Sequence, residues 1–363
     1  MRRGTIFLVL FIVVAGVIIG VSQFLRGQPP LEVVVAVDPL AQPWAQSAID
    51  AFNATAPVVN ATRRIQVRLT PVDDPVVWLE GRRWTTLDHP AAWIPASSIS
   101  VRYATENGLP FTLEAPSLAR SPLVWGGYAS RVAVLAAEAP LDWNAVAQAA
   151  RAESWQALGG DAGWRFVKVG LPQPNRKIGG LAGLLSAAAT FNQTPDLTAE
   201  ALRGREFRDW LAPVARSLAQ TSGDPAVAMA SQGASLIELA LFPEVQWLVN
   251  LNGMTSREPL QLFYPAYQFQ LDFPLARWQD AAAPAEMGAA VAALRAWLLS
   301  DAQQANAQAF GLRPAAGEPA STADLFAAGA RYGILAAPDY GQAVSPPALA
   351  EVRGLVQWFG SQR

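Results

Sequence analysis

Hydrophobic and polar positions divide the chain into one uninterrupted apolar segment and a long body of shorter alternations. From Thr5 to Leu25 no residue is charged, and only Thr5, Ser22 and Gln23 are polar. A helix of about 21 residues rises roughly 30 Å, the thickness of a bilayer's hydrocarbon core. The pattern predicts an N-terminal anchor and linker over residues 1–30 that meets the lipid bilayer through residues 5–25. A cleaved signal peptide is the competing reading, although its apolar region is usually only about 7–15 residues and ends at a small-residue site. Arg2 and Arg3 precede the span and Arg26 follows it. That asymmetry predicts a single-pass protein of the cell membrane, N-terminus cytoplasmic and body on the periplasmic or extracellular side. Gly16 and Gly20 stand four apart, a spacing that lets another membrane helix pack closely.

Beyond Pro29-Pro30 the pattern changes. Leu31 to Val37 is a β-branched run of strand length, closed by Asp38-Pro39. Ala45, Ala48, Ile49 and Phe52 then recur at helical spacing up to Ala54, and Ile65 to Leu69 alternates as a second strand. A β-α-β opening predicts an α/β protein with a parallel sheet and helices on its faces. Further strands are predicted at 91–94, 123–125, 167–171, 246–250, 260–264 and 269–273. Helices are predicted at 144–150, 180–190, 206–220, 225–232, 285–299 and 346–359. The roughly 335 residues after the anchor exceed what one core usually organises, so two lobes are expected.

Composition narrows the function. A formal charge of −2 leaves no basic footprint for nucleic acid. The absence of cysteine excludes disulfides, iron–sulfur clusters, thiol catalysis and attachment through a lipidated cysteine. His89 is the single histidine, which argues against a histidine-based zinc site or a Ser-His-Asp triad, and reads as a surface or core residue. No carboxylate pair has a spacing suited to acid–base work, so the chain reads as a non-enzyme without metal or cofactor. Asp73-Asp74 beside Pro75 reads as a turn. The thirteen tryptophans are either core or a ligand-facing or docking wall.

Several segments, in order, resemble bacterial extracellular solute-binding proteins of the type II periplasmic-binding fold, most closely the binding halves of proteins that also carry a von Willebrand factor A domain. They are Val35-Ala36-Val37-Asp38-Pro39-Leu40, then Ala92-Trp93-Ile94-Pro95-Ala96-Ser97-Ser98, then Ser121-Pro122-Leu123-Val124. The loop Gly170 to Leu181, Phe242-Pro243-Glu244-Val245-Gln246-Trp247, Phe263-Tyr264-Pro265 with Leu271-Asp272-Phe273-Pro274, and Phe310-Gly311-Leu312-Arg313-Pro314 follow. The resemblance implies a two-lobed fold, with residues 31–125 plus 266–363 as lobe 1 and 126–265 as lobe 2, closing on a small-molecule ligand. The cleft candidates it implies are Asp38, Leu40, Ser97, Ser98, Glu244, Tyr264 and Asp272. Gly179 and Gly180 join them by opening a helix whose N–H groups favour an anion. Where such proteins carry small hydroxyl or amide residues, this chain has Arg176-Lys177-Ile178. Arg176 and Lys177 suit a clamp on an acidic ligand, a filled cleft, or a face toward a partner or lipid headgroups. Two functions follow: a tethered solute-binding protein serving a transporter or sensor, or a non-catalytic accessory subunit of a larger membrane complex that uses the fold as a scaffold.

Overall fold

The computed structural model describes residues 13–14, 29–60, 63–79, 84–136, 140–320 and 322–362. The predicted membrane span, with Gly16 and Gly20, falls outside the described residues apart from Val13 and Val14. Among the described residues no helix is long and apolar enough to cross a membrane.

The body opens as its alternation predicts. Strand β1 (Leu31–Val37) buries Val33, Val35 and Val37 completely, and helix α1 (Gln42–Ala54) covers it with Trp44, Ala45, Ala48, Ile49 and Phe52. After the short β2 (Val58–Val59), β3 (Arg63–Pro71) runs parallel to β1. Helix α2 (Asp74–Trp78) starts on an Asp-Asp-Pro run, an acidic N-terminus with proline in its first turn, and leads to β4 (Ala92–Ile94) on the other side of β1. Helix α3 (Ser98–Glu106) and β5 (Phe111–Ala115) complete the outgoing half of this lobe.

The chain then leaves through β6 (Ala119–Arg120) and enters a second sheet on β7 (Leu123–Tyr128). Helices α4 (Ala129–Leu135) and α5 (Trp143–Arg151) follow, then β8 (Val169–Gly170) and the long, almost wholly buried α6 (Ile178–Asn192). Helices α7 (Ala199–Arg203), α8 (Arg205–Ser217) and α9 (Pro225–Gln232) lead to β9 (Leu239–Pro243), α10 (Glu244–Met254) and β10 (Leu260–Phe263). The sheet order is β10-β7-β9-β8. Residues 246–250, predicted as a strand, are helical, and the strand is the five residues Leu239 to Pro243. Those five are buried on both faces, whereas beyond them burial settles on Leu248, Leu251 and Met254, a helical spacing.

The return passes through β11 (Tyr267–Gln268) to β12 (Leu275–Trp278), which inserts antiparallel between β4 and β5. The first sheet therefore reads β2-β3-β1-β4-β12-β5. Outgoing and returning segments are tied directly: Ser121 and Leu271 exchange N–H···O bonds of 2.8 and 3.0 Å, and the Gln268 amide bonds both the N–H and the C=O of Leu123. This is a two-stranded hinge. Of the predicted strand 269–273, only Leu271 pairs in this way.

Helices α11 (Met287–Leu298) and α12 (Asp301–Ala309) pack beside α1, and β13 (Arg313–Pro314) pairs with β6. The rest of the chain touches both lobes. Helix α13 (Asp324–Ala330) packs on α10, placing Phe326 in the apolar cluster of Leu248 and Leu262. Strand β14 (Gln342–Ala343) pairs with β11, the Ser345 N–H donates to the Pro195 carbonyl, and the Tyr103 hydroxyl donates to the Pro347 carbonyl at 2.7 Å. Helix α14 (Leu349–Gly360) packs against α7 and α8. Its Glu351 pairs with Arg203 of the second lobe at 2.8 Å, while Arg353 donates to the Trp78 carbonyl and Asn107 Oδ1 of the first.

Candidate functional site

Between the lobes lies a cavity of about 380 Å³. Asp38, Pro39, Leu40 and Asp73 form its wall from the first lobe; the segments Pro172–Gly179 and Thr221–Pro225 supply most of the second. It sits beyond the carboxyl ends of β1, β3, β8 and β9, where strand order leaves a crevice in open α/β sheets.

Asp38 follows the last residue of β1, its N–H bonded to the Ile94 carbonyl and its Oδ1 accepting the Leu40 N–H at 2.9 Å. Only 2% of its surface is exposed. Burial pushes its pKa up to about 6; Asp73 adds to the rise, while the Leu40 N–H, Lys177 and a hydrogen bond with Asp74 oppose it. Asp74 is fully buried behind it, its Oδ2 accepting from the Ala96 N–H at 3.0 Å and the Ser100 hydroxyl at 2.7 Å. Its other oxygen finds no donor among the described residues, and burial together with Asp38 holds its pKa well above the usual carboxylate range.

Across the gap, Lys177 stands at the N-terminus of α6 and reaches back to the first lobe. Its Nζ lies 2.6 Å from Asp73 Oδ1, an ion pair joining the two lobes. The neighbouring Arg176 is exposed and forms no ion pair among the described residues. Asp224 faces the same cavity but is spent on its own surroundings: it caps α9 through the Ala226 N–H at 2.8 Å and accepts from Gln246 Nε2 at 2.6 Å.

Of the residues singled out by sequence, the structure brings Asp38, Leu40, Arg176, Lys177 and Gly179 to this cavity. Gly180 lies beside it for a packing reason, because a Cβ there would run into the Pro172 carbonyl. Ser97, Ser98 and Asp272 lie apart, around a smaller cavity of about 260 Å³ beside Val344 and Pro346. Asp272 caps α3, accepting from the Ser98 N–H at 2.7 Å and the Ser98 hydroxyl at 2.6 Å, and burial pushes its pKa up to about 6.

Glu244 and Tyr264 are not cleft residues. Glu244 is fully buried and holds the equally buried Arg313 through two bonds, Nε to Oε2 at 2.6 Å and Nη2 to Oε1 at 2.8 Å. The Tyr264 hydroxyl donates to Glu244, and burial with that carboxylate raises its pKa far above the phenol value. Arg313 spends its remaining donors on the Leu335 and Ala336 carbonyls and on Glu318. A charge this deep is kept only when paired and fully bonded. The network therefore fastens β13 to α10 of the second lobe.

Sequence reasoning missed Asp73, reading it as a turn residue. The signal was present as an acidic N-terminus ahead of Pro75, but its partner lies 104 positions away. The tryptophans prove to be packing residues: Trp44, Trp78, Trp93, Trp125, Trp143, Trp155 and Trp247 are wholly buried, and no tryptophan lines the interlobe cavity among the described residues. His89 stacks on Trp278 with ring centroids 4.3 Å apart.

No family model and no curated protein matches the chain. Solved structures do. A periplasmic thiamin binding protein superposes with a TM-score of 0.56 at 13% identity, over 92% of this chain and 96% of that one. The fold is that of the periplasmic binding proteins. Iron-bound HitA from Pseudomonas aeruginosa gives 0.55 at 13% identity over 92% and 98% of the two chains. The sulfate-binding protein SubI from Mycobacterium tuberculosis gives 0.52 at 14% over 92% and 99%. These structural neighbours are type II substrate-binding proteins, as the sequence motifs suggested. The link to von Willebrand factor A proteins finds no support in them.

Proposed function

We propose that this chain is an extracytoplasmic solute-binding-like protein that takes a small ligand bearing an anionic group between its two lobes, held at the membrane by residues 5–25. The observation that supports this reading most directly is Arg176. Its guanidinium stands on the rim of an interlobe cavity without an acidic partner among the described residues, beside the N-terminus of α6, whose Ile178 and Gly179 N–H groups find no acceptor there either. A cavity of about 380 Å³ lies in the range of small-molecule sites. The neighbours by fold are named for sulfate, iron and thiamin, so a non-catalytic binding role fits the architecture. Its natural partner is the membrane component of a transporter.

A thermal-shift screen of residues 29–363 against anions, sugars and amino acids tests the proposal, because a ligand that binds only the folded state raises its melting temperature by mass action. One or more hits that vanish in Arg176→Ala/Lys177→Ala support it. Silence across the panel, with other membrane subunits co-purifying with the full chain, favours the second reading, a non-catalytic accessory subunit. That reading draws on the Lys177–Asp73 pair and on the C-terminal segment, both of which tie the lobes together without a ligand.

A further inference from the structure

We infer that the ligand of the interlobe cavity is a zwitterion of amino-acid to dipeptide size, its cationic group held by Asp38 and its anionic group by Arg176. This rests on the binding role proposed above and names its chemical class.

Charge balance carries the assignment. Five charged side chains line the cavity: Asp38, Asp73, Arg176, Lys177 and Asp224. Asp73 and Lys177 neutralise each other at 2.6 Å. Asp224 is stabilised by the N-terminus of α9 and by Gln246. Apart from Asp224, whose charge is met by these uncharged donors, two charges remain, Asp38 and Arg176, and they have opposite signs on opposite lobes. Asp38 is only 2% exposed, and the Leu40 N–H is the sole main-chain partner of its carboxylate. A carboxylate so deeply desolvated is stabilised by a cation or a strong donor entering from the cavity. Arg176 calls for the reverse.

Other ligand classes fit less well. A dianion such as sulfate would gain Arg176 but face Asp38 with nothing to offset it. Carbohydrates are held against aromatic faces, and no aromatic side chain lines this cavity among the described residues. No cluster of three or more acidic or histidine side chains able to hold a metal ion occurs among the described residues.

Calorimetric titration of the full chain in detergent tests the assignment with matched probes: neutral α-amino acids and a dipeptide panel, their N-acetyl and carboxamide derivatives, sulfate, and simple amines. Zwitterions should bind, and removing either charge should weaken binding about 10–100-fold, the worth of one charged hydrogen-bonded contact. Asp38→Asn should erase the penalty for N-acetylation, and Arg176→Gln the penalty for amidation, while leaving the other penalty in place. Binding of sulfate or of N-acetyl compounds as tight as that of the zwitterions would overturn the zwitterion assignment and leave the binding role standing. No binding by any probe class would overturn both. The derivative series uses the unaltered protein, so its outcome does not depend on a variant folding.

Discussion

Lys177 Nζ sits 2.6 Å from Asp73 Oδ1, and the two residues belong to different lobes. Each stands at the N-terminus of a helix, Asp73 ahead of α2 and Lys177 ahead of α6. The carboxylate suits its position, since the positive end of a helix favours an anion. The ammonium at the head of α6 gains nothing from its own helix, so its place there depends on the partner across the gap. Both side chains are part-exposed, which limits the pair to about 0–1 kcal/mol of stability. Replacing Lys177 by Met should therefore shift the melting temperature little. Its effect should fall on lobe closure, read as faster amide exchange at the cavity rim, and Asp73→Asn should give the same change without adding to it in the double variant.

Arg313 and Glu244 present the opposite balance. Both are wholly buried, and Glu244 offers both oxygens to the guanidinium. Removing one partner strands the other's charge, which typically costs about 3–5 kcal/mol. Arg313→Met and Glu244→Gln should each lower the urea midpoint strongly. Removing the Tyr264 hydroxyl with Tyr264→Phe should cost less, about 1–2 kcal/mol, because the ion pair survives.

Acid should stabilise the body through two carboxyls. Asp38 and Asp272 both have pKa values raised by burial from 3.8 to about 6. Each folded-state carboxyl then holds its proton more tightly than in the unfolded chain. Their contribution is full below about pH 4 and is lost as pH rises through about 6. Between these limits, stability measured by denaturant titration should fall with rising pH. Asp272→Asn should flatten that slope by an amount on the order of 3 kcal/mol.

The C-terminal segment sets how far the lobes can part. Arg353 holds the first lobe, Glu351 holds the second, and Leu349, Val352, Leu355, Val356 and Phe359 bury the helix between them. Because the chain contains no cysteine, Glu32→Cys and Glu206→Cys place one spin label on each lobe without interference. Arg353→Ala should broaden the interlabel distance distribution, and ending the chain at residue 337 should broaden it further. An unchanged distribution in both would show that the two-stranded hinge with the Lys177–Asp73 and Arg313–Glu244 contacts restrains the lobes without the C-terminal segment.

Much of the fold was legible because local periodicity carried it. The β-branched run at Leu31–Val37 and the helical spacing over Ala45–Phe52 named their own elements, and ordered short motifs named the two-lobed architecture. The strand–helix exchange around Leu239–Met254 was harder to read, because a short apolar run and a buried helix look alike until burial is known. The site was only half legible. Asp38, Arg176 and Lys177 sit where strands end and helices begin, positions a sequence can mark. That Glu244 answers Arg313 rather than a ligand could not be read, since 69 residues separate them.

By itself, the sequence determined most element types outside the Leu239–Met254 exchange and the predicted strand 269–273, the exclusion of cysteine chemistry, and residues at strand ends where a ligand can be met. These follow from spacing and composition, which are local. The tertiary structure alone decided which charges cancel. Asp73 and Asp38 are alike on paper, yet one is neutralised by a lysine from the other lobe and the other is left buried against its neighbour Asp74. Electrostatic energy depends on distance and desolvation, and both are fixed only when the two lobes are brought face to face.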